Sequence, residues 1–101
     1  MKFELGELVM TKSINNRIAN GDRQFAKFVL DSLEKYRNCE WGELTEDDKK
    51  ANDNSVANGG DMILGAYVYD KNDTGFLGEG KIYIITEWDR SVTTILYPHE
   101  Y

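Results

Sequence analysis

Residues 81–97, KIYIITEWDRSVTTILY, decide how this chain folds. Two runs rich in β-branched and aromatic residues, KIYIITE (81–87) and SVTTILY (91–97), flank a short polar centre, and that arrangement predicts a β-hairpin. The centre packs Glu87, Trp88, Asp89, Arg90 and Ser91 together. Turn chemistry explains most of it. Asp89 can accept hydrogen bonds from backbone N–H groups two residues on. Arg90 is expected to pair with Glu87 or Asp89 across the turn, worth about 0–1 kcal/mol if exposed. Thr93 and Thr94 should fall on opposite faces of the second strand. Trp88 is the surplus: a large aromatic at a hairpin tip, beside an arginine, suits an interface anchor.

Working back from the hairpin, MILGAYVY (62–69) reads as another strand with a flat spot at Gly65, and DKNDTGFLGEG (70–80) as a polar loop. The loop imitates a calcium site only in part. Counted from Asp70, it offers Asn72, Thr74 and Gly75, but its twelfth position is Lys81, where such a site needs a bidentate glutamate. Upstream, Thr45 followed by Asp48 matches the start of a capping box. It opens a polar helix over about 46–57, with only Ala51, Val56 and Ala57 apolar. That helix should lie on the surface, held by Trp41 and Leu44 just before it. Asp48, Asn52 and Ser55 form one stripe, expected to face solvent.

The strongest helix spans about Asp22–Arg37. Phe25, Phe28, Val29, Ser32, Leu33 and Tyr36 recur every three or four residues and make a core face. Ahead of it, Ser13 can cap a short helical turn bearing Ile14 and Ile18, and residues 2–11 alternate as a first strand with a break or bulge at Gly6, strongest over Glu7–Thr11. The order β-α-α-α-β-β-β over residues 1–101 predicts one small α+β domain, an antiparallel sheet with helices packed on one face.

Composition narrows the chemistry. One cysteine, Cys39, excludes an intramolecular disulfide, and with one histidine, His99, the usual Cys/His zinc sites cannot be assembled from one chain. A Cys39–His99 nucleophilic pair would join residues sixty positions apart, with no catalytic signature near either. Phosphate-cradling glycine patterns and the GxSxG nucleophile elbow are missing. No catalytic residue, metal or cofactor is therefore expected. The longest apolar run is too short for a membrane span, and the acidic opening MKFELGEL is unlike a signal peptide, so the expected location is cytoplasmic.

The net charge of −6 is unevenly spread. Residues 1–39 hold seven bases and five acids, whereas residues 40–101 hold five bases and thirteen acids. Acidic surfaces repel phosphates, so direct nucleic-acid binding is not expected; a protein with a basic surface is the expected partner, with a homo-oligomer as another possibility. Glu40, Glu43, Glu46, Asp47 and Asp48 form the densest block. The candidate partner- or ligand-binding residues are Trp41, Glu43, Glu46, Asp47, Asp48, Asn52, Glu87, Trp88, Asp89 and Arg90.

Over nearly its full length the chain resembles a family of small bacterial and phage proteins described as plasmid-related. The resemblance rests on the opening MKFELGELV, on WGEL followed by EDDKKAN, and on ITEWDRSVTTILYPHEY. It falls on Trp41, Gly42, Leu44, Asp48, Asn52, Thr86, Glu87, Asp89, Arg90, Ser91, Thr93 and Thr94. Trp88 departs from it, standing where such proteins often carry alanine, so any role there is particular to this chain. The resemblance implies a mobile-element setting and brings no activity with it. The leading expectation is a non-enzymatic phage- or plasmid-borne accessory protein acting by protein–protein contact. Its sharper form is an acidic inhibitor of a host defence system, anti-CRISPR or antirestriction. The alternative is a small-ligand-binding or catalytic domain with a polar pocket between the 87–91 hairpin and the 46–57 helix.

Overall fold

A computed structural model describes residues 2–73 and 79–101. Its centre is the expected hairpin: β3 (Lys81–Thr86) and β4 (Val92–Leu96) are antiparallel, with Thr86 opposite Thr93 and Ile84 opposite Ile95. Strand β2 (Ile63–Val68) adds antiparallel to β3, pairing Ile63 with Thr86 and Tyr67 with Ile82. The two-residue period then sends Ile63, Tyr67, Ile82, Ile84, Thr86, Thr93 and Ile95 to one face, and all of them are buried.

Strand β1 (Glu7–Met10) overturns the expectation of a wholly antiparallel sheet. It lies beside β4 and runs parallel to it, Leu8 level with Thr93 and Met10 with Ile95. The sheet is therefore mixed, in the order β1-β4-β3-β2. The five-residue turn 87–91 forces β3 and β4 to run antiparallel, and β2 continues the alternation. No turn links β1 to β4, and the helices carry the chain from one sheet edge to the other, so the direction of β1 is free of that constraint.

Helices α1 (Lys12–Ala19) and α2 (Arg23–Arg37) cover the buried face. Phe25, Val29, Ser32 and Tyr36 are the buried stripe of α2, as their spacing predicts. Asp22 caps α2 by accepting the Phe25 N–H at 3.0 Å. Thr11, not Ser13, sits at the cap position of α1, and Ser13 falls inside the helix. The far end of α2 closes with two backbone bonds, Cys39 N–H to Tyr36 O and Glu40 N–H to Lys35 O, around Cys39 at φ 62°. Glycine or asparagine usually holds that left-handed position.

Helix α3 (Glu46–Asn58) starts where expected, with the Thr45 hydroxyl accepting the Asp48 N–H at 3.1 Å. It runs along the outer edge of β2. The core it borders is aromatic: Tyr36 and Trp41 meet edge to face at 5.5 Å, Phe3 packs on both, and Phe25 contacts Tyr69 and Tyr97. Each such pair contributes about 0.5–1.5 kcal/mol beyond the area it buries. In the 70–80 loop, Asp70 accepts the Asn72 N–H in a local turn; Thr74 and Gly75 of the calcium comparison lie outside the described residues.

Candidate functional site

The hairpin tip is a turn with a tether. Arg90 N–H donates to Glu87 O, and Glu87 N–H to Val92 O, leaving Arg90 at φ 61°. Asp89 behaves as expected, accepting from both the N–H and the hydroxyl of Ser91. Those bonds, the hydroxyl first, hold its carboxyl below the usual carboxylate range.

Arg90 does not form the expected pair with Glu87 or Asp89 carboxylates. Its guanidinium donates to Ser55 O and Asp61 O, each at 2.8 Å, to Ser55 Oγ, and more weakly to Glu87 O and Trp88 O. The reason is local charge. Helix α3 has no base in its last turn, and its terminal carbonyls carry the negative end of the dipole. Arg90 supplies that missing cation from a strand turn 35 residues away.

Beneath the tip lies a buried hydroxyl chain. Tyr36 Oη is 2.6 Å from Thr86 Oγ1, which is 2.7 Å from Thr93 Oγ1, which donates to Leu5 O at 2.6 Å. Since Thr93 spends its proton on Leu5, Thr86 must donate to Thr93, so Tyr36 can donate onward to Thr86. Tyr36 also lies 3.1 Å from Ile63 O. Burial pushes the Tyr36 phenol well above its ordinary range, so it stays a proton donor. The chain links the opening segment, α2, β3 and β4. Sequence reasoning placed Tyr36 in the core and Thr86 and Thr93 in strands without joining them. The available signal was the symmetric placing of two threonines about the hairpin centre.

Two candidate binding residues are turned inward. Trp41 is buried, its indole N–H donating to Asp53 Oδ1 at 2.9 Å. Asn52 and Ser55 are also buried, which corrects the solvent-facing stripe; Asp48 alone of the three is exposed. Asn52 Nδ2 donates to Leu64 O and its Oδ1 accepts Leu64 N–H. The side-chain amide thus replaces a neighbouring strand on the β2 edge. Two residues along, Ala66 N–H donates to Trp41 O and Ala66 O accepts Glu43 N–H. Gly42 sits between them at φ 79°, where a Cβ would collide with Ala66 O. The WGEL segment is therefore an edge cover.

The remaining candidates are on the surface. Glu43, Glu46, Asp47, Asp48, Glu87 and Asp89 are exposed, as is Glu40. Trp88 is 65% exposed. The acidic block gathers at the start of α3 and the hairpin tip at its end; Asp48 to Ser55 alone spans roughly 10 Å of helix axis. Lys49 approaches Glu46 at 3.6 Å, a loose exposed pair. Glu40 and Glu43, with Asp31 and Lys35, border a cleft of about 410 Å³ between α2 and β2.

Among the described residues, α3 and the hairpin each border a separate cavity. Arg90 occupies their junction. Asp48 and Asn52 line a shallow cavity of about 230 Å³ with Leu44, Ala51, Met62 and Leu64. Glu87 lines another with Ile85, Leu96 and Tyr101. Among the described residues no group of three His, Cys, Asp or Glu side chains is placed to hold a metal ion. Burial raises the Cys39 thiol, the opposite of nucleophile activation. No described helix is long and apolar enough to cross a membrane. No family model, curated protein or solved structure matches the chain.

Proposed function

We propose that this protein is a non-enzymatic accessory factor that acts by binding a basic protein surface through its acidic side. The observation that carries this reading is the exposed block Glu40, Glu43, Glu46, Asp47 and Asp48 at the start of α3. Trp88 at the other end of the helix is a ready aromatic anchor for the same partner. Further support comes from what the polar groups already do. Arg90, Asn52, Tyr36, Thr86 and Thr93 are engaged within the fold, which leaves charge and the tryptophan as the outward chemistry. The resemblance to plasmid-related proteins suggests a mobile-element setting. In that setting the fitting target is a defence nuclease, whose nucleic-acid channel is basic and would accept an acidic mimic.

The test is binding to such a channel. A guide-loaded CRISPR effector and a DNA restriction enzyme would be titrated with the protein at low and high salt. Tight association that weakens steeply with salt, and is lost in a Glu43→Lys/Glu46→Lys/Asp47→Lys variant, is the expected result. Binding that survives those reversals at low salt would sink the electrostatic reading.

A further inference from the structure

The two edges of the sheet are treated differently. The β2 edge is covered by Asn52 and by residues 41–43, as described above. The β1 edge has β4 on one side and, among the described residues, no strand on the other. The N–H groups of Glu7 and Thr11 bond to Ser91 O and Ile95 O, so strand alternation turns those of Leu8 and Met10 away from the sheet. Leu8 is 45% and Met10 39% exposed. Beside them opens an apolar groove of about 280 Å³ lined by Leu8, Met10, Ile18, Leu30, Leu33 and Ile95. Leu30, on its rim, is 66% exposed. Natural edges usually carry a charge, a proline or a cover at such a place. This one carries none over Leu8–Met10.

We infer that the β1 edge is the interface of a twofold homodimer in which β1 pairs antiparallel with β1 of a second copy, centred on Val9. The register follows from the free groups. A twofold axis perpendicular to the sheet keeps both helical layers on one side and places Leu8 opposite the partner's Met10, Val9 opposite the partner's Val9 and Glu7 opposite the partner's Thr11. Leu8 and Met10 are the positions whose N–H and C=O point outward, so each Leu8–Met10 pair exchanges both backbone bonds. Their side chains lie on the helix-covered face, as do those of Thr93 and Ile95 beside them. They form one apolar row across the axis, closing the groove in each copy.

Charge favours a second copy over another occupant. β1 is preceded by Glu4 and entered at Glu7, and Lys12 lies two residues beyond its end, so antiparallel pairing sets the acidic end of one strand against the basic end of the other. Residues 1–39, which supply β1, α1 and α2, are the near-balanced part of a chain of net charge −6. Two copies meeting there keep their acidic parts apart. The covered β2 edges end the assembly at two copies, so a closed dimer forms and not a fibre.

The experiment is sedimentation equilibrium of the full chain over a wide concentration range, with two variants. The expected result is a reversible species of twice the 11.6 kDa chain mass. A Leu8→Lys/Met10→Lys variant should weaken it about tenfold or more. It should keep its circular dichroism, because both side chains are already partly in water. A Val9→Cys variant should form an intermolecular disulfide under mild oxidation, since directly opposed residues of a non-hydrogen-bonded pair lie about 4.5 Å apart between Cα atoms. Peptide mapping would place that bond at position 9 and distinguish it from one through Cys39. A chain that stays monomeric at the highest concentration overturns the inference. So does a dimer indifferent to the lysines with no cross-link at position 9.

Discussion

Arg90 holds a left-handed backbone conformation that costs a non-glycine residue about 1–2 kcal/mol, and it keeps that conformation because its guanidinium reaches α3. Arg90→Ala loses the bonds and retains the strain; Arg90→Gly loses the bonds and relieves it. Urea denaturation should therefore rank wild type above Arg90→Gly above Arg90→Ala, with Ala about 2–3 kcal/mol below wild type. A glycine variant as stable as wild type would show that the tether contributes nothing. The hydroxyl chain gives a parallel case. Tyr36→Phe removes the donor to Thr86 and should cost about 1–2 kcal/mol by the same measurement. At this scale the sequence was only partly readable. The capping and turn bonds of Asp22, Thr45 and Asp89 reach no further than three residues, and those roles follow from local rules. Arg90, Asn52 and Trp41 act on partners 12 to 35 positions away, so their roles depend on the tertiary fold.

Helix α3 is nearly all polar because its inward face meets a strand edge, where backbone groups need hydrogen bonds more than they need apolar cover. A low apolar content therefore read as solvent exposure when it marked contact with unpaired backbone. Asn52→Leu should destabilise the fold by about 2 kcal/mol, since it strands the Leu64 N–H and C=O. It should also promote aggregation in light-scattering assays by uncovering the β2 edge. At the start of α2, Asp22 accepts from the Arg17 guanidinium and the Phe25 N–H, and these hold its carboxyl below the usual range. A carboxyl depressed in the folded state lends stability above its unfolded pKa and loses it as pH falls through the folded value. Thermal melts should show acid lability across the carboxylate range that is reduced in Asp22→Asn. The helices and the three consecutive strands were legible from period and turn signals. The neighbour and direction of β1 were not, because nothing local encodes a pairing between residues 7–10 and 92–95.

For the whole molecule, the division of charge along the sequence becomes a division of the surface. The near-balanced first part supplies β1, α1 and α2, and the acidic remainder supplies the start of α3 and the hairpin tip. Of the candidate residues chosen from sequence, the structure leaves Glu43, Glu46, Asp47, Asp48, Glu87, Trp88 and Asp89 outward and commits Trp41, Asn52 and Arg90 to the fold. Charge reversal at Glu43, Glu46 and Asp47 should thus preserve the fold at a cost of about 1–2 kcal/mol, because the side chains are exposed but Glu46 and Asp47 sit in the first turn of α3, where the dipole favours acids. The most direct measurement is recovery of the partner from the native host with a tagged copy, run in parallel with the Glu43→Lys/Glu46→Lys/Asp47→Lys variant at low and high salt. A stoichiometric basic protein, retained by wild type at low salt and lost both on reversal and at high salt, is the expected result. A partnerless protein, or a partner held equally by the reversed variant, would contradict the account.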